Sequence, residues 1–293
     1  MRVFVTGASG HIGSAVLPEL VGAGHEVVGL ARSDASGKKV RELGADVRRG
    51  SLDDLDLLRE AATEADAVIH LAFSNELMMS GDFAGAVAKD LTHVGALGDA
   101  LAGTGKALFG IGMQRTADAK ANVTIDANPR SQVTRLIADY AQKGVRSVTF
   151  AVPPVTHSDL DRHGFIPLMI SIARRTGISG YPGTGENTWP AAHTRDVATL
   201  YRLALEKAPA GAQLYAATEQ GVPLKKIAEV IGRKLGIPTE SIPDEKTDEH
   251  FAGFPFVRID FRMPNDETRK LLDWTPSYPG LLADLEEGHY FHP

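Results

Sequence analysis

Val3-Phe4-Val5-Thr6-Gly7-Ala8-Ser9-Gly10-His11-Ile12-Gly13 is an apolar run that ends in a glycine-punctuated turn with the spacing G-x-x-G-x-x-G. The segment from Ile12 to Gly24 carries apolar residues at helical spacing, and His25–Leu30 reads as a second strand. A strand, a glycine turn, a helix and a strand within about thirty residues form a unit that holds a dinucleotide pyrophosphate on a helix N-terminus. Gly7 permits the tight turn. Gly10 lets the backbone approach the phosphates, where a Cβ would collide. Gly13 lets the helix lie close to the sheet. The cofactor contacts expected from this stretch are Gly7, Ser9, Gly10, His11, Ile12 and Gly13.

Outward from the turn, the first half alternates strand and helix. Strands are expected at Arg2–Thr6, Glu26–Leu30, Asp46–Arg49, Ala67–Leu71, Ala107–Ile111 and Ser147–Val152. Amphipathic stretches at Ile12–Val21, Lys38–Leu43, Asp54–Ala61, Ala84–Ala102 and Gln132–Lys143 separate them, and Arg115–Asn128 reads as a loop. Apolar strands with helices between them predict an α/β fold: a doubly wound parallel sheet covered on both faces. After Pro153-Pro154 glycine and proline become frequent, and helices return at Thr194–Glu206 and Leu224–Leu235. This predicts a dinucleotide-binding domain over 1–155. A smaller, mainly substrate-binding lobe covers 156–293, with elements at about 190–218 returning to the sheet. Ligands of such sheets sit at the carboxyl ends of the strands, so the active site is expected in the cleft between domain and lobe.

Composition narrows the partners. A formal net charge of −6 with no lysine-arginine run argues against nucleic acid. The absence of cysteine excludes disulfides, thiolate nucleophiles and cysteine metal sites. No apolar run approaches membrane-spanning length, and the start leads directly into a strand, so a cytoplasmic protein with a small-molecule substrate is expected. His157, Asp159, Asp161 and His163 cluster within seven residues. The intervening Arg162 and the lack of a second ligand group favour a solvated loop over a metal site.

The segment Thr6-Gly7-Ala8-Ser9-Gly10-His11-Ile12-Gly13 resembles the extended and atypical short-chain dehydrogenase/reductases, which include the NAD-dependent epimerases and dehydratases. Later segments extend the resemblance over nearly the whole chain. His193-Thr194-Arg195-Asp196-Val197-Ala198 is similar to H-V-x-D-V-A, and Leu224–Ile231 to the family's helix after the penultimate strand. Leu271-Leu272-Asp273-Trp274-Thr275-Pro276 is similar to L-L-G-W-x-P, with Asp273 replacing the glycine. The resemblance implies a Rossmann domain and a nicotinamide cofactor.

In NAD-selective relatives an acidic residue closes the second strand and binds the adenosine ribose. Here Arg32 stands in that place. A guanidinium can pair with a 2′-phosphate and stack on adenine, and Ser33 can add a hydrogen bond, with Lys38 and Lys39 nearby. NADP(H) is therefore expected over NAD(H). Asp34 is the counter-argument, since a small shift of the loop brings its carboxylate toward the ribose. By resemblance, Ser51 and Leu52 would face the adenine, with Ser51 replacing the family's aspartate. Leu71 and Ala72 would line the adenosine side through backbone atoms, Phe73 in the same segment would contact the cofactor, and Pro153 and Val155 would pass the nicotinamide.

Such reductases work with a serine, a Y-x-x-x-K pair and a helix asparagine. None of the six tyrosines has a lysine four residues on: Tyr140 meets Gly144 and Tyr201 meets Leu205. The fifth strand ends Gly110-Ile111-Gly112-Met113-Gln114, where relatives carry serine or threonine. Counting back from Gly144 puts the missing tyrosine and lysine near Thr124 and Asn128, and Asp90 stands for the asparagine. This resembles an atypical subgroup that keeps the glycine turn without the tetrad. Gln114 and His157 are the candidates for polarising a carbonyl and supplying the proton. Met113, Phe165, Tyr181, Trp189 and His193 are the candidate substrate residues.

The expected function is an NADPH-dependent reductase of a carbonyl or related unsaturated group on a small, fairly apolar molecule. The alternatives are an NADP-binding sensor or scaffold without turnover and, third, a nucleotide-sugar epimerase or dehydratase. A homodimer through the helices Ala84–Ala102 and Gln132–Lys143 is a further expectation.

Overall fold

The computed structural model describes residues 1–113 and 119–292. Two units divide the chain. One comprises Met1–Val152, Val197–Tyr215 and Asp266–Trp274; the other comprises Pro153–Asp196, Ala216–Asn265 and Thr275–Pro293. The strands, in chain order, are β1 (Arg2–Thr6), β2 (Glu26–Ala31), β3 (Asp46–Arg49), β4 (Ala67–His70), β5 (Ala107–Ile111) and β6 (Arg146–Ala151), then β7 (Val155–His157), β8 (Ser179–Pro182), β9 (Thr188–His193), β10 (Ala212–Tyr215), β11 (Glu219–Pro223) and β12 (Thr239–Ile242). The helices begin with α1 (Gly13–Gly22), α2 (Asp34–Glu42), α3 (Leu55–Glu64), α4 (Asn75–Met79), α5 (Phe83–Leu101), α6 (Ala119–Ala127) and α7 (Ser131–Asp139). They continue with α8 (Phe165–Thr176), α9 (Thr194–Lys207), α10 (Leu224–Leu235), α11 (Asp244–His250), α12 (Asp266–Leu272) and α13 (Leu281–Glu287).

The first unit is built on a seven-stranded sheet in the order β10-β6-β5-β4-β1-β2-β3, every pairing parallel. This is the doubly wound Rossmann arrangement, and its order reverses between β1 and β4. Val3, Phe4 and Val5 of β1 are buried, as are all four residues of β4, because helices cover both faces of the sheet. Phe4, Val68 and Leu108 from the strands meet Leu58 of α3, Val94 and Leu97 of α5 and Ile137 of α7 in one apolar cluster.

Local chemistry moves several boundaries away from the pattern. Helix α2 begins at Asp34, four residues before the expected Lys38, because the Ser33 side chain caps it: Ser36 N–H donates to Ser33 Oγ at 3.2 Å, and Ser33 N–H to Ser36 Oγ at 3.0 Å. The stretch expected as a single helix to Lys143 is α-helical only to Asp139, then continues as a 3-10 turn over Tyr140–Lys143. Helix α6 lies inside the stretch read as a loop; its alanine-rich sequence carries helix propensity without a strong apolar stripe.

In the second unit β9 pairs parallel with β7 and antiparallel with β11, and β12 pairs parallel with β8. Its core gathers Ile166, Ile170, Trp189, Leu224, Ile227, Leu281 and Leu285.

Candidate cofactor site and buried polar pairs

The glycine turn lies at the carboxyl end of β1, where the strand order reverses, and leads into α1. Gly7 has φ +67°, and a Cβ built on it would meet Ala72 N at 2.7 Å and Leu71 C at 2.8 Å. A Cβ on Gly13 would fall 2.4 Å from the Gly7 oxygen. Gly10 differs: among the described residues other than its chain neighbours, the atoms near its Cβ position are Gly7 O at 3.1 Å and Gly7 C at 4.0 Å. Gly7 and Gly13 are thus required by the protein's own packing, whereas the space beside Gly10 is open. That is the shape a bound pyrophosphate needs, with a helix N-terminus facing it. The residues present fit a dinucleotide.

The neighbouring groups are arranged around this turn. Lys39 Nζ donates to the Ser9 carbonyl at 2.9 Å. Arg32 is exposed and pairs with Glu76 at 3.1 Å. Asp34 pairs with Arg49 at 3.2 Å. The Ser33 hydroxyl, expected at a phosphate, is engaged as the cap of α2. Ser51 Oγ accepts from Asp53 N–H at 3.2 Å, and Leu52 packs at the rim of the core. Leu71, Ala72 and Phe73 follow β4 directly, beside Gly7.

Beneath the turn lies a polar relay that the sequence reading did not foresee. Thr6 and His70 are register partners at the ends of β1 and β4. Thr6 Oγ1 lies 2.7 Å from His70 Nδ1, and His70 Nε2 lies 2.9 Å from Asp90 Oδ1. Ala72 N–H points to Thr6 Oγ1 at 3.4 Å. An ionised carboxylate only accepts, so His70 Nε2–H donates to Asp90 and Thr6 Oγ1–H donates to Nδ1. All three side chains are buried. The relay ties together the two strand ends that carry the glycine turn and Leu71-Ala72. A polar residue closing each of two apolar strands, Val-Phe-Val-Thr6 and Ala-Val-Ile-His70, was its only sequence signal.

Tyr140 and Tyr201, in the first unit, offer no acid like the family's. Tyr140 reaches Asp99 Oδ1 at 2.8 Å and the Gly95 carbonyl at 3.0 Å, and burial together with the Asp99 hydrogen bond pushes its pKa well up. Tyr201 is fully buried and stacked on Phe150 with ring centroids 4.0 Å apart, and burial raises its pKa too. Met113 N–H donates to Thr134 Oγ1 at 2.8 Å. Gln114 lies outside the described residues.

Within the second unit, His157 is completely buried, with Nδ1 2.8 Å from Asp284 Oδ2 and Nε2 without a hydrogen-bond partner. The His193 ring meets it edge to face with centroids 5.4 Å apart, and stacks on Tyr278 at 4.6 Å. Pro153 and Val155 belong to this unit, and Val155 is core. Phe165 and Trp189 come together, with centroids 5.5 Å apart, in a cluster with Phe254 and Phe256. Trp189 Nε1 donates to the Phe256 carbonyl at 3.0 Å. Tyr181 lies beside Gly185, with Lys225 over its ring at 5.7 Å. Asp159 pairs with Arg195 at 2.7 Å, and Asp161 Oδ1 accepts from Gly164 N–H at 2.8 Å.

His193 gives a pH prediction. Burial, followed by the neighbouring His157, lowers its pKa from 6.5 to about 4. The unfolded chain therefore takes up a proton between those values that the folded chain refuses. The contribution is intact above pH 6.5 and is lost as pH falls toward 4, at up to about 1.4 kcal/mol per pH unit. His193→Gln should flatten the decline of unfolding free energy between pH 7 and 4; an unchanged slope would assign that acid sensitivity elsewhere.

Among the described residues, two groups bring three metal-ligand atoms within 4.8 Å: His70, Asp90 and His93, and Asp284, Glu287 and His289. In the first, both His70 nitrogens are used by Thr6 and Asp90; in the second, Asp284 holds His157.

Strand order and glycine turn together define a dinucleotide-binding protein of Rossmann type. Residues 3–94 match the model of the NAD dependent epimerase/dehydratase family. Over 300 aligned residues, 99% of this chain and 100% of the other, the chain is 37% identical to an uncharacterised protein of Schizosaccharomyces pombe. It is 25% identical over 256 residues, 82% of this chain and 75% of that protein, to the 4-hydroxy-2-methyl-3-oxo-4-farnesyl-3,4-dihydroquinoline-1-oxide ketoreductase of Stigmatella aurantiaca. The structure of a Thermotoga maritima UDP-glucose 4-epimerase with UDP-glucose shares the fold at TM-score 0.76 and 17% identity, covering 99% of this chain and 98% of that one. Over its full length the chain is of one family with the Schizosaccharomyces pombe protein, and its residues 3–94 form a domain of the NAD dependent epimerase/dehydratase type. No helix among the described residues is long and apolar enough to cross a membrane.

Proposed function

We propose that the protein is an NADP(H)-dependent oxidoreductase that reduces a carbonyl or related unsaturated group of a small, fairly apolar molecule. The observation that carries the reading is the open space beside Gly10 at the N-terminus of α1. When bound, the nicotinamide exchanges the hydride, and the protein supplies position and a proton source. The ketoreductase relative supports a carbonyl substrate, and the aromatic cluster around Phe165 and Trp189 supports an apolar one.

Preference for the 2′-phosphate is supported by Arg32, by Lys39 over the turn, and by Asp34 being engaged with Arg49. The exposed Arg32–Glu76 pair is weak, and a phosphate dianion competes well for the guanidinium. His157, on its sequence position, or else water, is proposed as the proton source; a donating His157 would have to be the imidazolium, since its Nδ1–H is held by Asp284. Gln114 is proposed as the carbonyl's hydrogen-bond donor on its sequence position.

Equilibrium titration with NADPH and NADH tests the reading. Wild type should bind NADPH more tightly. Arg32→Ala should weaken NADPH on the order of tenfold or more, one lost charge-assisted interaction, and leave NADH nearly unchanged. Equal losses for both cofactors would remove Arg32 from the 2′-phosphate. A second reading, a cofactor-binding protein without turnover, is favoured by the upward pKa shifts of Tyr140 and Tyr201. Under it NADPH binds and no carbonyl compound is reduced.

A further inference from the structure

Arg130 immediately precedes α7 and lies with its guanidinium carbon 4.3 Å from the centroid of the Phe73 ring, just beyond the end of β4. Its Nη2 is 4.0 Å from Asp90 Oδ2. The other oxygen of that carboxylate is held by His70, so Asp90 is fixed from the side of the glycine turn. Arg130 Nε is buried and has no hydrogen-bond partner. The side chain as a whole retains 22% exposure while Nε itself is enclosed, so a ligand oxygen meets the exposed part of the fork first and Nε after a small shift of the side chain.

A guanidinium carries five N–H donors in a rigid fork and is at its best when an edge of that fork meets two oxygens. Asp90 occupies this one through a single long ion pair. The buried Nε–H is a donor that the protein desolvates without satisfying, an arrangement that favours an oxygen brought by a ligand. Phe73 and Asp90 place the group on the β4 side of the reversal in strand order. A dinucleotide lies across that reversal. Arg32 at the end of β2 marks the adenosine side, and Arg130 lies across the reversal from it, so the backbone of Leu71 and Ala72 would meet the adenosine side and Arg130, beyond Phe73, the nicotinamide half.

We propose that Arg130 is a cofactor-contacting residue, whose Nε–H and an Nη–H donate to hydroxyl oxygens of the nicotinamide-bearing ribose, and that Asp90 is the positioning residue that holds it. The inference rests on the cofactor reading above.

The test compares NADPH with adenosine 2′,5′-bisphosphate, which carries the adenosine half alone, by calorimetric titration of the full chain. Arg130→Met keeps an aliphatic stem on Phe73. It should weaken NADPH by about 10- to 100-fold, the loss of a charged donor to a ligand oxygen, and leave the bisphosphate unchanged. Arg130→Lys keeps the charge, recovers part of the NADPH affinity, and serves if the methionine variant fails to fold. Asp90→Asn should give a smaller loss, confined to NADPH. A structural role alone would shift both ligands together. NADPH affinity untouched in the variants, or equal losses for both ligands, overturns the inference and leaves the cofactor reading standing. If wild type binds neither NADPH nor NADH, the cofactor reading fails and this inference with it.

Discussion

Gly10→Ala should give a folded protein with an unfolding midpoint close to wild type and a nicotinamide dinucleotide affinity lowered on the order of 100-fold. Among the described residues beyond its chain neighbours the added Cβ meets only the Gly7 carbonyl, at 3.1 Å, which a shift of a few tenths of an ångström relieves. The same Cβ occupies the space where the pyrophosphate would receive backbone N–H groups. Loss of two charge-assisted hydrogen bonds at about 1.5 kcal/mol each gives that factor. Gly7→Ala is the control and should behave in the opposite way. Its φ of +67° and the Ala72 backbone nitrogen 2.7 Å from the new Cβ make the variant unstable by about 2–4 kcal/mol before any ligand is considered. Circular-dichroism melts and cofactor titrations on the two proteins check the contrast. Gly10→Ala binding as tightly as wild type would remove the ligand from the turn.

Asp284→Ala should be among the most damaging single substitutions in the second unit. Its carboxylate and the His157 imidazole form a buried pair at 2.8 Å, at 2% and 0% side-chain exposure. Removing one partner leaves a polar ring nitrogen enclosed without a partner and a void beside it. Such truncations cost about 3–5 kcal/mol. Asp284→Asn keeps the volume and one acceptor oxygen, so it should cost less. Thermal or urea unfolding of both variants checks the ranking, and an alanine variant as stable as wild type would show that the pair contributes little. His157→Gln adds a second readout. If the imidazole supplies the proton, turnover falls while NADPH binding stays; if water does, only stability falls.

The fold was legible because its signals are local. The apolar strands, the helical spacing between them and the glycine turn are each read within about thirty residues. What was missed depends on groups far apart in sequence. His157 and Asp284 are 127 residues apart, and Thr6 meets His70 only through the β1–β4 register. Ser33 was read as a phosphate ligand although its spacing to Ser36 also fits a capping box, and the cap is what forms. Asp90 was placed by resemblance as a substituted asparagine; its pairing with His70 and Arg130 emerged only once α5, β4 and α7 were packed. Arg130 had no motif around it, since nothing in Pro129-Arg130-Ser131 tells a ligand-binding arginine from a solvated one.

The most direct test is NADPH consumption by the purified protein with a panel of apolar ketones, aldehydes, quinones and imines, run in parallel with NADH. NADPH oxidation that depends on a carbonyl compound, faster than with NADH, is the predicted result. Tight NADPH binding with no oxidation of either cofactor across the panel would contradict an oxidoreductase and leave a cofactor-binding protein in its place.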